Sequence, residues 1–99
     1  MNQLTVKARI LEKSVIRYTP AGIPIASAIL MHSSQQVEAG TGRLVEFEIP
    51  AQAAGDISGT FNELPLDVEI AFTGFLARKN RNSKSLVFHI IEIQAHLLD

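Results

Sequence analysis

Four of the nine basic side chains lie within seven residues, in the segment Arg-Lys-Asn-Arg-Asn-Ser-Lys at positions 78–84. No acidic residue occurs between Glu69 and Glu92, so nothing nearby in the sequence neutralises this charge. Such side chains donate hydrogen bonds and attract polyanions, but they cannot form an apolar core. The segment therefore has two interpretations that its pattern alone does not separate. It is either a charged hairpin tip that keeps the chain soluble or a loop that contacts a polyanion.

Binding of a single-stranded nucleic acid requires cations for the phosphates and planar side chains for the bases. The candidate cations are Arg17, Arg78, Lys79, Arg81 and Lys84. Tyr18, at the predicted end of the first strand, is either a platform for a base or a packing residue. We expect Phe72, Phe88 and Phe47 in the core, and the pattern leaves Phe75 undecided. With so few planar side chains, the sequence predicts weak, salt-sensitive binding.

The sequence argues against an enzyme and against a cofactor. It has no cysteine, which excludes disulfides, thiolate metal sites and cysteine nucleophiles. His89 and His96 are seven residues apart on one predicted strand, so a regular strand directs them to opposite faces. His32 belongs to another strand, and no pair of carboxylates is placed to complete a metal or general-base cluster. We expect each histidine at a surface or in a hydrogen-bonded interface.

Length and composition predict one small domain over residues 1–99. The hydrophobic fraction of 46% is high for this size and indicates apolar surface buried against another subunit. The net charge of −1 excludes a strongly basic protein, so nucleic-acid binding must come from local charge. The N-terminus has no apolar segment typical of a signal peptide, and no apolar run is long enough to cross a membrane. We therefore expect a soluble, cytoplasmic protein.

Alternation of apolar and polar residues predicts five strands. The first begins at Leu4, bulges at Leu11-Glu12 and resumes with Val15 and Tyr18, before a turn at 19–24. The second covers 25–32, and the polar segment 33–42 reads as a mobile loop. The third contains Val45, Phe47 and Ile49 and is ended by Pro50.

Residues 51–66 predict a short helix or an irregular connection, because Gly55 and Gly59 oppose a long helix. The fourth strand has Val68, Ile70 and Phe72 inward and a bend at Gly74. The fifth covers 86–97 with a bulge near Ile90-Ile91. This order is typical of an all-β, five-stranded OB-fold barrel with long β-hairpin loops, although a five-stranded SH3-like barrel or a small sandwich remains compatible with the pattern.

A resemblance favours the OB-fold. The segments Tyr18-Thr-Pro-Ala-Gly-Ile-Pro24, His32, Val37-Glu-Ala-Gly40, the strand ending in Pro50 and Gly74-Phe75 occur in an order and spacing that resemble the primosomal replication protein N (PriB) family. This family lies within the bacterial single-stranded DNA-binding protein superfamily. The resemblance covers nearly the whole chain and rests on several short matches in register.

The resemblance implies an OB-fold homodimer that binds single-stranded DNA and the restart helicase PriA, and helps to reload the replicative helicase at stalled forks. It implies that the 78–84 loop reaches toward DNA, and Arg17 is similar to a lysine of the family. The chain departs from the family at Glu46, where relatives place a tryptophan, and at Thr41, a position at which relatives can have an aromatic residue. The alternative is a protein–protein adaptor with little DNA binding, which the surplus of apolar residues and the acids Glu38, Glu46, Glu48 and Glu63 favour.

Overall fold

A computed structural model describes residues 1–94, which form six strands and one short helix. The elements are β1 (Leu4–Lys13), β2 (Arg17–Tyr18), β3 (Pro24–Glu38), β4 (Thr41–Ala54), α1 (Ile57–Asn62), β5 (Ile70–Arg78) and β6 (Leu86–Gln94). His96 and the end of the predicted fifth strand lie outside the described residues.

Five strands close into a mixed barrel, in the order β1-β5-β6-β4-β3, because β1 pairs with strands on both of its sides. Its first half pairs with β5 and its second half with β3, both antiparallel. Closure between β4 and β6 is parallel, through Ala51 with Phe88 and Gln52 with His89. The two-residue strand β2 adds to the edge of β3. The predicted all-β OB-fold is confirmed, and the structures it resembles are reported below.

The core fills the inside of this barrel. Its largest fully buried side chains are Phe61, Phe72, Phe88, Ile10 and Leu30. Phe61 from α1 packs against Phe72 with ring centroids 5.9 Å apart, so the short helix closes one end of the barrel. The Lys13 ammonium donates to the carbonyls of Asn62 and Leu64 at 2.8 and 2.7 Å. This cation therefore satisfies carbonyls at the helix C-terminus and is not part of a free basic track.

The prediction of a mobile loop at residues 33–42 is wrong. β3 and β4 continue past the barrel as a two-stranded arm whose register runs to Glu38 opposite Thr41. Ala39 and Gly40 form the turn with φ of 52° and 75°, the conformation that two-residue hairpin turns require. Residues 35–44 of the arm are exposed on both faces. Because neither face is buried, no apolar alternation marked these strands.

Three smaller predictions also need correction. The first strand continues after its bulge only to Lys13, since Val15 is 91% exposed and Tyr18 belongs to the separate strand β2. Pro50 does not end a strand, because β4 continues to Ala54 and pairs with β3 throughout. A proline is tolerated in a strand where its missing N–H is not needed by the ladder. The short helix is confirmed, but it begins at Ile57 rather than near Ala51.

Both predicted bulges are confirmed. In β1 the register shifts between Ile10 and Glu12. Between β5 and β6, Thr73 pairs with Glu92 and Gly74 with Ile90, so Ile91 is the extra residue. A Cβ built on Gly74 would lie 1.9 Å from the carbonyl oxygen of His89, so only glycine allows the two strands to approach here.

We expect Gly74→Ala to destabilise the protein by at least about 2 kcal/mol, because the new methyl group must displace the backbone of β6. Chemical denaturation followed by circular dichroism measures this change. The matched control is Gly59→Ala in α1, where a Cβ meets no atom within 4 Å and alanine favours the helix. If both substitutions have the same small effect, the close contact at Gly74 is not a constraint on the fold.

Candidate nucleic-acid interface

The basic segment forms the tip of the β5–β6 hairpin, as predicted. The turn is held by its own polar groups: the Lys79 N–H donates to the carbonyl of Ser85 at 2.9 Å, and the Asn82 N–H to Oδ1 of Asn80 at 3.0 Å. The Ser85 N–H donates to Oγ of Ser83 at 3.0 Å. Asparagine and serine therefore shape the turn, while Arg78, Lys79, Arg81 and Lys84 are exposed around it.

A groove of about 560 Å³ begins at this tip and crosses the outer face of β6, β4 and β3 toward the end of β1. Apart from the core residues Ala28 and Ala51, the strand residues on its floor alternate with the core residues of the same strands. The lining is Glu12, Ser14, Arg17, Ser27, Ala28, Ile29, Pro50, Ala51, Gln52, Arg78, Lys79, Asn80, Val87 and His89. The groove is thus lined by both polar and apolar side chains and has cations at both ends.

The groove brings together three of the six predicted site residues. Arg17 from β2 lines one end, and Arg78 and Lys79 from the hairpin tip line the other. Tyr18 follows Arg17 directly and is 69% exposed, which fits an accessible side chain rather than a packing residue. Arg81 and Lys84 are exposed on the loop but do not line the groove. Among residues 1–94 none of these cations is in an ion pair, since the one pair there joins Arg43 to Glu38.

One carboxylate lies among these cations. Glu12 lines the groove because the bulge in β1 changes which residues face outward. Val6, Ala8 and Ile10 face the core, and without an inserted residue Glu12 would follow them inward. Its negative charge opposes the cations of Arg17, Arg78 and Lys79 in the same trough. The site is therefore less electropositive than its basic residues alone indicate.

The aromatic side chains divide differently from the prediction. Phe72 and Phe88 are fully buried, as predicted, but Phe47 is 38% exposed on the arm, so its assignment to the core is wrong. It packs on His32 with ring centroids 4.8 Å apart. Phe75, left undecided by the sequence, stacks on His89 with centroids 4.8 Å apart and planes 2° from parallel. Sequence reasoning missed His89 as a groove residue, because its contact with the groove depends on the pairing of β6 with β4.

His32 is held by hydrogen bonds on both ring nitrogens. Its Nδ1–H donates to the Lys7 carbonyl at 2.7 Å, and Nε2 shares a hydrogen bond with the Ser34 hydroxyl at 2.7 Å. It lies beside a second depression of about 400 Å³, lined by the outer side of β1 and the arm, including Leu4, Val6, Val45 and Phe47. This apolar depression is separate from the groove.

Over residues 1–94, no group of three or more His, Asp or Glu side chains could hold a metal ion.

Within the same residues, the structure contains no helix that is long and apolar enough to cross a membrane.

Comparison with known proteins agrees with this geometry. Residues 2–92 match a family described as another single-strand binding protein family. The chain is 41% identical over 90 residues to the replication restart protein PriB of Bordetella pertussis, covering 91% of this chain and 84% of that protein. It is also 41% identical over 96 residues to PriB of Neisseria meningitidis serogroup B, covering 96% and 95% of the two chains.

Solved structures show the same relationship. The structure of PriB from Ralstonia solanacearum matches with a TM-score of 0.89 and 42% identity over 97% of this chain and 98% of that one. The single-strand-binding domain of a Synechococcus protein matches with a TM-score of 0.70 at 14% identity, covering 96% of each chain, which supports the fold alone.

Proposed function

The chain belongs to the replication restart protein PriB family, within the single-strand binding proteins, and on this premise we propose that it binds single-stranded DNA along the groove. This family acts by binding, which agrees with the expectation that the chain is not an enzyme. The observation that carries the proposal is the position of Arg17, Arg78 and Lys79 in one groove of about 560 Å³. Arg81 and Lys84 add charge just outside the groove, whereas Tyr18 is exposed next to Arg17 but does not line the groove.

The proposed binding is weak and electrostatic. With Thr41 and Glu46 on the arm, planar side chains are few, and Glu12 weakens the attraction for phosphates. Glu46 and Glu48 lie on the same face of β4 as the groove residues Pro50 and Gln52, because alternate residues of a strand share a face. These acids discourage DNA from continuing onto the arm. DNA contact is thus confined to the barrel and the hairpin tip.

If five cations neutralise five phosphates, the logarithm of affinity falls with the logarithm of salt concentration with a slope of about −3.5. The double variant Arg81→Ala/Lys84→Ala removes two contacts, so we expect a slope near −2 and at least about tenfold weaker binding at low salt. Titration of a fluorescent oligonucleotide at several salt concentrations measures both quantities. No binding at low salt, or a slope near zero, would contradict the proposal.

Neutralising the carboxylate in the groove tests whether the DNA lies there. Glu12→Gln should strengthen binding about 2- to 5-fold, because it removes a negative charge that faces the phosphates. Glu63→Gln is the matched control, since it makes the same change in net charge at an exposed position next to α1, outside the groove lining. Equal strengthening by both substitutions would show that only net charge matters and that the groove is not the binding site.

We further propose that the protein associates with a PriA-type restart helicase and contributes to reloading the replicative helicase at stalled forks. Support comes from the family and from surface that the groove does not use, namely the exposed acids of the arm and its exposed apolar residues Val37 and Leu44. A protein adaptor with little DNA binding is the second candidate function, and the same surface favours it.

A pull-down with the helicase distinguishes the two candidates, at a salt concentration that releases the labelled oligonucleotide. We expect the helicase to remain bound there, because apolar contacts are screened less by salt than phosphate contacts. Loss of helicase in parallel with DNA would mean that the association runs through nucleic acid. Full helicase binding by a protein that never binds oligonucleotides would favour the adaptor.

We also propose that the protein is a homodimer, with a second copy seated on the depression between β1 and the arm. Residues 4–8 of β1 pair with β5 on one edge, and no strand within residues 1–94 pairs with their other edge. Val45 and Phe47 supply apolar surface beside this edge. An unpaired edge next to exposed apolar side chains is a surface that association buries.

Light scattering should give twice the 10.8 kDa mass of one chain. Phe47→Glu should shift the protein toward the monomer, because it places a charge in the contact. Val15→Glu introduces the same side chain at a position that is 91% exposed and outside the depression, and should leave the mass unchanged. A monomeric wild-type protein would contradict the proposal.

A further inference from the structure

The stacked rings of Phe75 and His89 lie on the outer face of the barrel and link two depressions. His89 lines the groove, whereas Phe75 lines a neighbouring pocket of about 280 Å³ together with Asn2, Gln3 and Ile91. The two residues are directly paired across β5 and β6. Both side chains are half-buried, so the pair is supported by the sheet but remains accessible.

The order of the strands decides which side of the imidazole faces the groove. β6 lies between β5 and β4, and Phe75 on β5 covers one face of the His89 ring. The opposite face is therefore turned toward β4, where the groove lies. Within residues 1–94 the ring nitrogens of His89 form no hydrogen bond. Every buried side-chain nitrogen or oxygen in these residues has a hydrogen-bond partner. The ring nitrogens of His89 are therefore accessible to solvent. Phe75 holds one face of the ring in place, and the side chain of Gln52 is the neighbour of the other face.

This neighbour is a flexible polar side chain, and a base stacks on the imidazole when that side chain swings aside. Gln52 on β4 is in register with His89 and also lines the groove. Its amide carries both a donor and an acceptor, which can pair with the edge of a base lying against the imidazole. Arg78 and Lys79, at the same end of the groove, lie where the phosphates beside such a base would be held. A planar face, an amide and two cations thus occur together.

We propose that His89, supported from behind by Phe75, is the stacking platform for one base of the bound single strand, with Gln52 contacting the edge of that base. The inference rests on the proposed DNA binding and adds a base contact to a site described so far by charge. Base stacking on planar side chains is tolerant of sequence, because every base has a flat face. The platform therefore strengthens binding without selecting a sequence.

The test compares two probes of equal length, an oligothymidylate and an abasic strand with the same sugar–phosphate backbone. The wild-type protein should bind the oligothymidylate more tightly than the abasic strand. In His89→Ala the oligothymidylate should lose about 5- to 20-fold in affinity, within the range for one stacked base, while binding of the abasic strand stays constant. His89→Phe should retain the preference for bases, because it keeps a planar ring without the imidazole nitrogens.

Other outcomes overturn the platform in distinguishable ways. If His89→Ala weakens both probes equally, or if His89→Phe behaves like His89→Ala, the imidazole acts through charge or hydrogen bonding. If His89→Ala binds both probes as the wild type does, the strand lies elsewhere and DNA binding stands without the platform. Absence of binding to either probe by the wild type would overturn both the platform and the proposed function. A cross-strand aromatic pair also stabilises a hairpin, so the thermal unfolding of each variant is measured in parallel.

Discussion

The insertion of Leu11 in β1 is the local feature on which both the barrel and the groove depend. The bulge bends the strand, so its first half pairs with β5 and its second half with β3, which closes the sheet. The same insertion changes the facing of every later residue in the strand. Glu12 is consequently directed into the groove, and the Lys13 side chain reaches the carbonyls at the end of α1. One extra residue therefore affects the closure of the barrel, the attachment of α1 and the electrostatics of the groove.

Gly74 has a corresponding role in β5, the strand next to the first half of β1. Its missing side chain allows the His89 carbonyl to approach β5 where the register between β5 and β6 is irregular. This close contact aligns Phe75 with His89 and places the basic hairpin tip at the end of the groove. The groove is thus assembled from residues of six strands whose relative positions depend on two irregularities. Arg17 and Arg78 line one groove because the barrel is closed, although they are far apart in the sequence.

The sequence was informative where side chains are half-buried or where backbone geometry demands a particular residue. Alternation at Val6, Ala8 and Ile10, the bend at Gly74 and the bulge near Ile91 predicted strands of an all-β domain, and the family resemblance favoured the OB-fold over an SH3-like barrel or a small sandwich. The sequence did not predict the two strands of the arm, because both faces of the arm are exposed and the apolar periodicity of a strand reflects burial rather than pairing. Basic residues indicated the hairpin tip, but the positions of Glu12 and His89 in the groove depend on a bulge and a parallel closure. Such long-range register cannot be derived from the residues of one strand.

The central claim is that a single strand of DNA lies in the groove between β2 and the β5–β6 hairpin tip. Mapping of amide chemical shifts during titration with an oligothymidylate tests it most directly, because the shift of each backbone amide changes where the DNA binds. We predict that the changes concentrate at Arg17, Gln52, residues 78–84 and His89, with small changes in α1 and in the outer half of the arm. Changes centred on the arm or on the depression at Val45 and Phe47, with an unperturbed hairpin tip, would contradict the account.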